Sequence, residues 1–127
     1  MTLAGKTIAI TGAARGLGQA FARHLASLGA NLVVGDVNDC SATVDLVAGG
    51  QAVAVTLDVA DPASAQAMID AGIAAFGRLD GLVNNAALYG ALKGGRFESI
   101  PESEWDACMA VNVKGIWNCC KAVVPAM

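Results

Sequence analysis

Hydrophobic and polar positions follow two patterns that alternate along the chain. Short apolar, β-branched runs predict strands, and apolar residues that recur every three or four positions predict helices between them. The predicted strands cover residues 7–11, 31–36, 52–59 and 81–84. The predicted helices cover residues 16–28, 41–48, 61–76 and 102–124, and the Gly-rich segment 87–100 is predicted to be a loop. This alternation indicates an α/β protein with a parallel sheet and helices on both faces.

Composition agrees with a packed fold and narrows the possible partners. Of the 127 residues, 55% are hydrophobic and 15% are charged, which argues against disorder. The net charge of −3 argues against nucleic acid or an anionic membrane as a partner. No apolar run approaches ~18 residues and no signal peptide is visible, so we expect no membrane span and a cytoplasmic location.

The cysteines and the histidine do not form a metal-binding pattern. Cys40, Cys108, Cys119 and Cys120 contain no C-x-x-C pair, and His24 is the only histidine. We therefore expect four reduced cysteines and no metal site.

A glycine-rich segment joins the first predicted strand to the first predicted helix. Gly12 would allow a tight turn, Gly16 would let the backbone approach a pyrophosphate, and Gly18 would let the helix pack against the strand. The helix N-terminus would offer free N–H groups and a partial positive charge to phosphates. The segment therefore predicts a dinucleotide-binding loop. Its candidate cofactor-binding residues are Thr11, Gly12, Ala14, Arg15, Gly16, Leu17 and Gly18.

A carboxylate ends the second predicted strand, where dinucleotide-binding folds carry the acid that binds the ribose hydroxyls. This residue, Asp36, could accept both hydroxyls of NAD and would repel the additional phosphate of NADP. Arg15, a basic residue within the loop, could pair with that phosphate. We favour NAD, because the carboxylate acts directly at the ribose, and keep NADP as the less favoured alternative.

These residues, with three further stretches, resemble the short-chain dehydrogenase/reductase family. The spacing Thr-Gly-x-x-x-Gly-x-Gly is the family's own, and matching stretches occur at residues 58–59, 79–86 and 111–115. The resemblance implies a Rossmann-type, doubly wound parallel sheet with strand order 3-2-1-4. It also implies that residues 1–127 are the NAD(P)-binding N-terminal half of a domain about twice as long.

The resemblance assigns roles to further residues. Asp58 and Val59 would contact the adenine. Three residues would line the cofactor site beside the nicotinamide, namely Asn85, Ala86 and Ala87, the last of which replaces a family glycine. Asn112 would be catalytic, because its backbone carbonyl would hold a water molecule of a proton relay.

The resemblance implies that the family's catalytic Ser and its Tyr-x-x-x-Lys pair would come after residue 127, outside these residues. Tyr89 and Lys93 have the spacing of that pair, but they precede Asn112 and lie among glycines, so we interpret the match as coincidental. Tyr89 is better suited to a substrate-binding loop.

Three functions remain open from the sequence. The first is an NAD-dependent oxidoreductase that transfers hydride between nicotinamide and a secondary alcohol or ketone, similar to 3-oxoacyl reductases or to alcohol and sugar dehydrogenases. The second is a non-catalytic NAD-binding fragment or assembly module. The third is a Rossmann-type methyltransferase that uses S-adenosylmethionine. In each case we expect the 127 residues alone to lack dehydrogenase activity, and to be unstable or to associate. A homo-oligomer through the 102–124 helix is the expected assembly.

Overall fold

A computed structural model describes all 127 residues and contains four strands and five helices. The strands are β1 (Thr7–Thr11), β2 (Asn31–Asp36), β3 (Ala52–Thr56) and β4 (Gly81–Val83). The helices are α1 (Gly16–Ser27), α2 (Ser41–Asp45), α3 (Pro62–Phe76), α4 (Glu102–Met109) and α5 (Gly115–Val123). A π-helical turn, Ala110–Lys114, joins α4 to α5, and 3-10 turns cover Phe97–Ser99 and Val124–Ala126.

All four strands are parallel and lie in the order β3-β2-β1-β4. The order confirms the predicted 3-2-1-4 sheet of a doubly wound α/β fold. Because the strands are parallel, their carboxyl ends meet at one edge of the sheet. The loops that leave those ends gather the residues predicted to form the site.

Two apolar clusters cover the two faces of the sheet. One combines β-strand residues such as Val33 with Met68 and Ile69 of α3 and Val123 of α5. The other packs Ala22 and Ala26 of α1 against β1 and β2. Burial on both faces explains the nearly continuous apolar runs of the strands, since only covered parallel sheets tolerate such runs.

Residues at its two ends fix the boundaries of α3. The Asp61 carboxylate accepts a hydrogen bond from the Ala63 amide at 2.9 Å, and Pro62 occupies the first turn, where its missing N–H costs nothing. Gly77 ends the helix with φ of +73°, a left-handed conformation that favours glycine. The prediction of a helix from Asp61 to Phe76 is therefore close to the observed one.

Four predicted elements differ from the structure by more than a single residue at one end. The third strand ends at Thr56 rather than at 59, because Asp58 turns the chain by accepting a hydrogen bond from the Ala60 amide at 2.9 Å. Helix α2 ends at Asp45 rather than at 48. The predicted loop 87–100 contains a 3-10 turn, and the predicted 102–124 helix contains the π-helical turn. None of the helices has the length and apolar character that crossing a membrane would require.

Candidate functional site

A cleft of about 840 Å³ opens at the carboxyl edge of the sheet. It brings together most of the residues predicted from the sequence. Those that line it are Gly12, Arg15, Gly16, Asp36, Asp58, Val59, Asn85, Ala86 and Ala87. The other predicted residues lie around it, with Thr11 and Gly18 buried beneath, Ala14 bonded to Asp36, Leu17 exposed on α1 and Asn112 behind the lining.

The three loop glycines meet different steric demands. A Cβ on Gly18 would lie 2.1 Å from the Gly12 carbonyl oxygen, so no side chain fits there. Gly12 has φ of +68°, and a Cβ there would lie 2.7 Å from the Ala86 Cα. Gly16 also has a positive φ, of +59°, but a Cβ there would meet no atom within 4 Å. The space beside Gly16 therefore belongs to the cleft.

Thr11 and Asn85 fasten the loop to the end of β4. The Thr11 hydroxyl oxygen accepts hydrogen bonds from the Asn85 and Ala86 amides at 3.0 and 2.9 Å. The Asn85 side chain donates in return to the carbonyls of Thr11 and Gly12 at 3.1 and 3.0 Å. These bonds hold the two walls of the cleft at a fixed separation.

The first turn of α1 faces the cleft without a side-chain cap. Arg15 occupies the N-cap position in an extended conformation and makes no side-chain capping bond. The first turn contains no acidic residue. The unpaired N–H groups and the partial positive charge at the helix N-terminus are therefore available to an anion in the cleft.

Asp36 stands on the opposite side of the loop and is held by three N–H donors. Its Oδ2 accepts from the Ala14 amide at 3.0 Å. Its Oδ1 accepts from the Asn38 amide and side chain at 2.9 and 3.2 Å. No lysine or arginine forms an ion pair with it. These bonds fix the orientation of the carboxylate at the cleft.

Helix α5 supports the wall formed by Asp58 and Val59. A Cβ on Gly115 would lie 2.6 Å from the Val59 side chain, which shows how closely the helix approaches. The buried Asn118 side chain donates to the Val59 carbonyl at 2.9 Å. Val59 is buried, whereas Asp58 is exposed at the rim of the cleft.

Asn112 lies in the π-helical turn and does not line the cleft itself. Its Oδ1 accepts from the Leu88 amide at 2.7 Å, and its Nδ2 donates to the Leu88 carbonyl at 3.0 Å. Leu88 does line the cleft. π-helical turns are rare and often occur at functional sites, because they displace the regular i to i−4 pairing of the backbone.

Tyr89 and Lys93 do not share a helical face. The segment between them is a turn closed by a hydrogen bond from the Leu92 amide to the Tyr89 carbonyl, followed by a loop. The Lys93 amide donates to the Glu104 carboxylate at 2.7 Å. Tyr89 is 84% exposed and lines the cleft, a position open to a ligand.

Three residues of the site were missed by sequence reasoning. Asn38 bonds to the Asp36 carboxylate, while Thr43 and Gln19 donate to the Ala13 and Ala14 carbonyls of the glycine-rich loop. The backbone contact of Asn38 could have been inferred, because an Asp side chain often bonds to the backbone two residues further on. Thr43 offers no such signal, since it lies 30 residues from the carbonyl that it contacts.

The cysteines are all free, and two of them are shielded. Burial raises the pKa of Cys40 to about 11, and the nearby Asp36 and Asp39 carboxylates raise it further. Burial likewise raises the pKa of Cys119 to about 11, with a smaller effect from Cys120. No group of three or more His, Cys, Asp or Glu side chains is arranged to hold a metal ion.

Comparison with known proteins gives consistent matches. The family model described as short chain dehydrogenase matches residues 6–127. An uncharacterized oxidoreductase of Mycobacterium tuberculosis is 45% identical over 126 residues, which cover 96% of this chain and 51% of that protein. Oxidoreductase UcpA of Salmonella typhimurium is 41% identical over 128 residues, covering 98% of this chain and 48% of that protein.

Solved structures show the same likeness. A short-chain dehydrogenase/reductase from Burkholderia phymatum, in complex with NAD, superimposes with a TM-score of 0.92 at 37% identity. That match covers 100% of this chain and 46% of the other. Levodione reductase superimposes with a TM-score of 0.88 at 31% identity, covering 98% of this chain and 50% of the other.

The chain therefore spans about half the length of the relatives that it matches. Within that half, the family model, the strand order and the loop motif all agree. The chain belongs to the short-chain dehydrogenase family.

Proposed function

We propose that this chain is the nucleotide-binding half of an NAD-dependent oxidoreductase. One observation carries the proposal, namely that the uncapped N-terminus of α1 and the Asp36 carboxylate, which forms no ion pair, line the same cleft. The first suits the pyrophosphate and the second suits the adenosine ribose. With the family established, a methyltransferase no longer competes.

The residues present fit the groups of a dinucleotide. The amides of Gly16, Leu17 and Gly18 would hold the pyrophosphate, and Asp36 the ribose. The adenine would lie against Asp58 and Val59. The nicotinamide end would lie towards the other wall, which is built by Asn85, Ala86 and Ala87.

The electrostatics at the ribose end favour NAD over NADP. A 2′-phosphate would meet the Asp36 carboxylate, whose two oxygens already hold the nearby N–H donors at Ala14 and Asn38. The carboxylate and a 2′-phosphate are both negative, and two negative groups in contact repel strongly in a partly enclosed site. Arg15 is the one basic residue of the cleft lining. Because it is exposed, solvent weakens the attraction that it could offer to a 2′-phosphate.

In the whole protein, the bound nicotinamide would exchange a hydride with a secondary alcohol or ketone. This chain would contribute the cofactor site and one catalytic position, Asn112. A 3-oxoacyl group, an alcohol or a sugar fits this chemistry equally well.

The other proposal is a non-catalytic NAD-binding or assembly module. It is favoured by the lack of a helical Tyr-x-x-x-Lys pair within these residues.

The proposal extends to assembly and location. Trp105, Val113 and Trp117 are each more than half exposed on the 102–124 helix, which suits a homo-oligomer that covers them. Four free thiols suit a cytoplasmic protein.

Calorimetric titration of the chain with NAD and NADP tests the cofactor site. We expect saturable NAD binding and at least about tenfold weaker NADP binding, a difference of about 1.4 kcal/mol. The absence of saturable NAD binding would refute the proposal.

An assay of NAD reduction with secondary alcohols, on this chain and on any longer product of its coding sequence, separates the enzyme from the module. Activity confined to a longer product supports the enzyme.

A further inference from the structure

We propose that Thr43 is a positioning residue, with Gln19 as its partner. It keeps the glycine-rich loop of residues 11–18, called the phosphate loop below, open for the pyrophosphate. The inference rests on the proposed function, because it concerns the same cleft. Thr43 lies on α2, outside the loop motif, and does not line the cleft. It would act through the backbone of Ala13 and Ala14.

A directed chain of hydrogen bonds links Gln19, Thr43 and the loop. The Gln19 Nε2 donates to the Thr43 hydroxyl oxygen at 3.0 Å. The Thr43 hydroxyl in turn donates to the Ala13 carbonyl at 2.6 Å. Because Gln19 supplies a donor to that oxygen, the hydroxyl proton is free to point at the carbonyl. Thr43 is fully buried, so water does not compete for these bonds.

As a result, every backbone polar group of Ala13 and Ala14 has a partner within the protein. The Ala13 amide donates to the Gly35 carbonyl at 3.2 Å, and its carbonyl accepts from Thr43. The Ala14 amide donates to Asp36, and its carbonyl accepts from the Gln19 side chain at 3.4 Å. These four hydrogen bonds hold the backbone of both residues in position.

The two carbonyls matter because of what they would otherwise accept. In a continuous α-helix the carbonyls of Ala13 and Ala14 would pair with the amides of Leu17 and Gly18, following the i to i−4 rule. No such bonds exist here, and the first bond of this kind runs from the Gln19 amide to the Arg15 carbonyl. Thr43 and Gln19 hold both carbonyls elsewhere, which leaves the two amides free for an anion.

Packing alone does not require a hydroxyl at this position. Valine has nearly the same shape as threonine and would fill the space without burying a polar group. The chain offers a matched control in Thr7, which is also fully buried but whose hydroxyl has no hydrogen-bond partner. The same change at the two positions therefore separates loss of the loop contact from the general effect of the substitution.

The test compares Thr43→Val, Thr43→Ser and Thr7→Val by calorimetric titration with NAD, ADP-ribose and adenosine. Thr43→Val is expected to weaken NAD and ADP-ribose binding about tenfold, equivalent to about 1.4 kcal/mol. Adenosine has no pyrophosphate, so its affinity should change by less than about twofold. Thr43→Ser restores the hydroxyl and should bind NAD nearly as the parent does, as should Thr7→Val.

Two results would overturn the inference. One is parent-like NAD binding by Thr43→Val, and the other is an equal loss for adenosine. If Thr43→Val fails to fold, Gln19→Met removes both donor contacts at a half-buried site and is expected to weaken NAD and ADP-ribose selectively. Failure of the parent chain to bind NAD would instead refute the proposed function and this inference together.

Discussion

The side-chain amide of Asn112 pairs with both backbone polar groups of Leu88, accepting from its amide at 2.7 Å and donating to its carbonyl at 3.0 Å. Asn112 lies in the π-helical turn, and Leu88 lies in the loop that follows β4. The pair therefore couples an irregular helical turn to one wall of the cleft. A role for Asn112 in the reaction and a role in holding this wall are compatible, since the first uses its backbone and the second its side chain.

Asn112→Asp should destabilise the chain in a pH-dependent way. At neutral pH the new carboxylate would place a negative oxygen against the Leu88 carbonyl, at a cost of about 1–3 kcal/mol. This repulsion would raise the pKa of the introduced carboxyl. The protonated form can donate to the carbonyl, so the deficit should be small at low pH and should grow as the pH rises through that pKa.

Denaturant unfolding of the parent, Asn112→Asp and Asn112→Ala across pH 3–7 measures this effect. This range includes the ordinary Asp pKa of about 3.9. Asn112→Ala removes both contacts and should show a deficit that does not follow pH. A deficit of Asn112→Asp that stays constant with pH would show that the contact with Leu88 does not determine stability.

Glycine substitutions in the loop should differ in severity. Gly18→Ala forces a Cβ to within 2.1 Å of the Gly12 carbonyl oxygen, so we expect the chain to lose NAD binding and to be strongly destabilised. Gly16→Ala meets no atom but adopts a positive φ, at a cost of about 1 kcal/mol in stability. Thermal unfolding and NAD titration measure the two effects.

Gly77→Ala is the matched control for Gly16→Ala. Both residues have a positive φ and open space beside the Cβ position, but Gly77 caps α3 and does not line the cleft. Both variants should lose similar stability, and only Gly16→Ala should weaken NAD binding. Equal NAD affinity in the two variants would contradict the assignment of Gly16 to the pyrophosphate.

Local signals predicted the fold and the cleft well. The apolar strands, the Asp61-Pro62 helix start and the loop glycines depend on neighbours in sequence, and the structure places each of them as predicted, to within a few residues at the ends. Asp36 was predicted at the cleft because it ends a strand, and parallel strands bring such ends together.

The missed features depend on contacts between distant parts of the chain. The Thr43 contact spans 30 residues and the Asn112 contact spans 24, so neither leaves a pattern in the local sequence. The π-helical turn contains no helix-breaking residue. It occurs where the Asn112 side chain bonds to the Leu88 backbone. The apolar pattern also continued past Thr56, because Leu57 and Val59 are buried beyond the strand end.

Substitution of Asp36 should change the cofactor preference. Asp36→Asn removes the charge but keeps an oxygen that can accept from the Ala14 amide. We expect NAD affinity to fall about tenfold, since neutral hydrogen bonds are about half as strong as charged ones, and NADP affinity to rise. The NAD to NADP ratio, measured by titration, should fall by more than about tenfold, equivalent to about 1.4 kcal/mol. Asp39→Asn, an exposed carboxylate outside the cleft lining, serves as the control. An unchanged ratio in Asp36→Asn would contradict the proposed ribose contact.

The exposed face of the 102–124 helix should control association. Trp105, Val113 and Trp117 are 57, 55 and 56% exposed, and a stable interface needs about 800 Å² per partner. We expect the parent chain to sediment as a dimer or larger species, and Val113→Asp to reduce its size because a charge would be buried without a partner. Leu46→Asp, at another exposed apolar residue, should leave the sedimentation coefficient unchanged. A parent-sized Val113→Asp would exclude this face as the interface.

Asp80 should stabilise the fold at neutral pH and lose this effect in acid. Its carboxylate joins the starts of β1 and β4 by accepting from the Thr7 amide at 2.9 Å and by pairing with Arg78 and Lys6. The hydrogen bonds from Arg78, followed by that from the Thr7 amide, hold the pKa of Asp80 well below its usual range. A carboxyl whose pKa is lower in the folded chain contributes fully above its unfolded pKa of about 3.9. The contribution is lost as the pH falls below that value towards the folded pKa.

Asp80→Asn therefore offers a test by difference. The variant keeps an acceptor for the Thr7 amide but loses the charge that Arg78 and Lys6 require. The free energy of unfolding of the parent should exceed that of the variant at pH 7, and the gap should begin to narrow below about pH 4, where the parent carboxyl begins to bind a proton in the unfolded chain. Because the ion pairs are partly exposed, added salt should also narrow the gap at pH 7. Asp45→Asn, at an exposed carboxylate without an ion pair, controls for the change itself. A gap that persists unchanged to pH 3 would mean that the bonds at Asp80 do not depend on its charge.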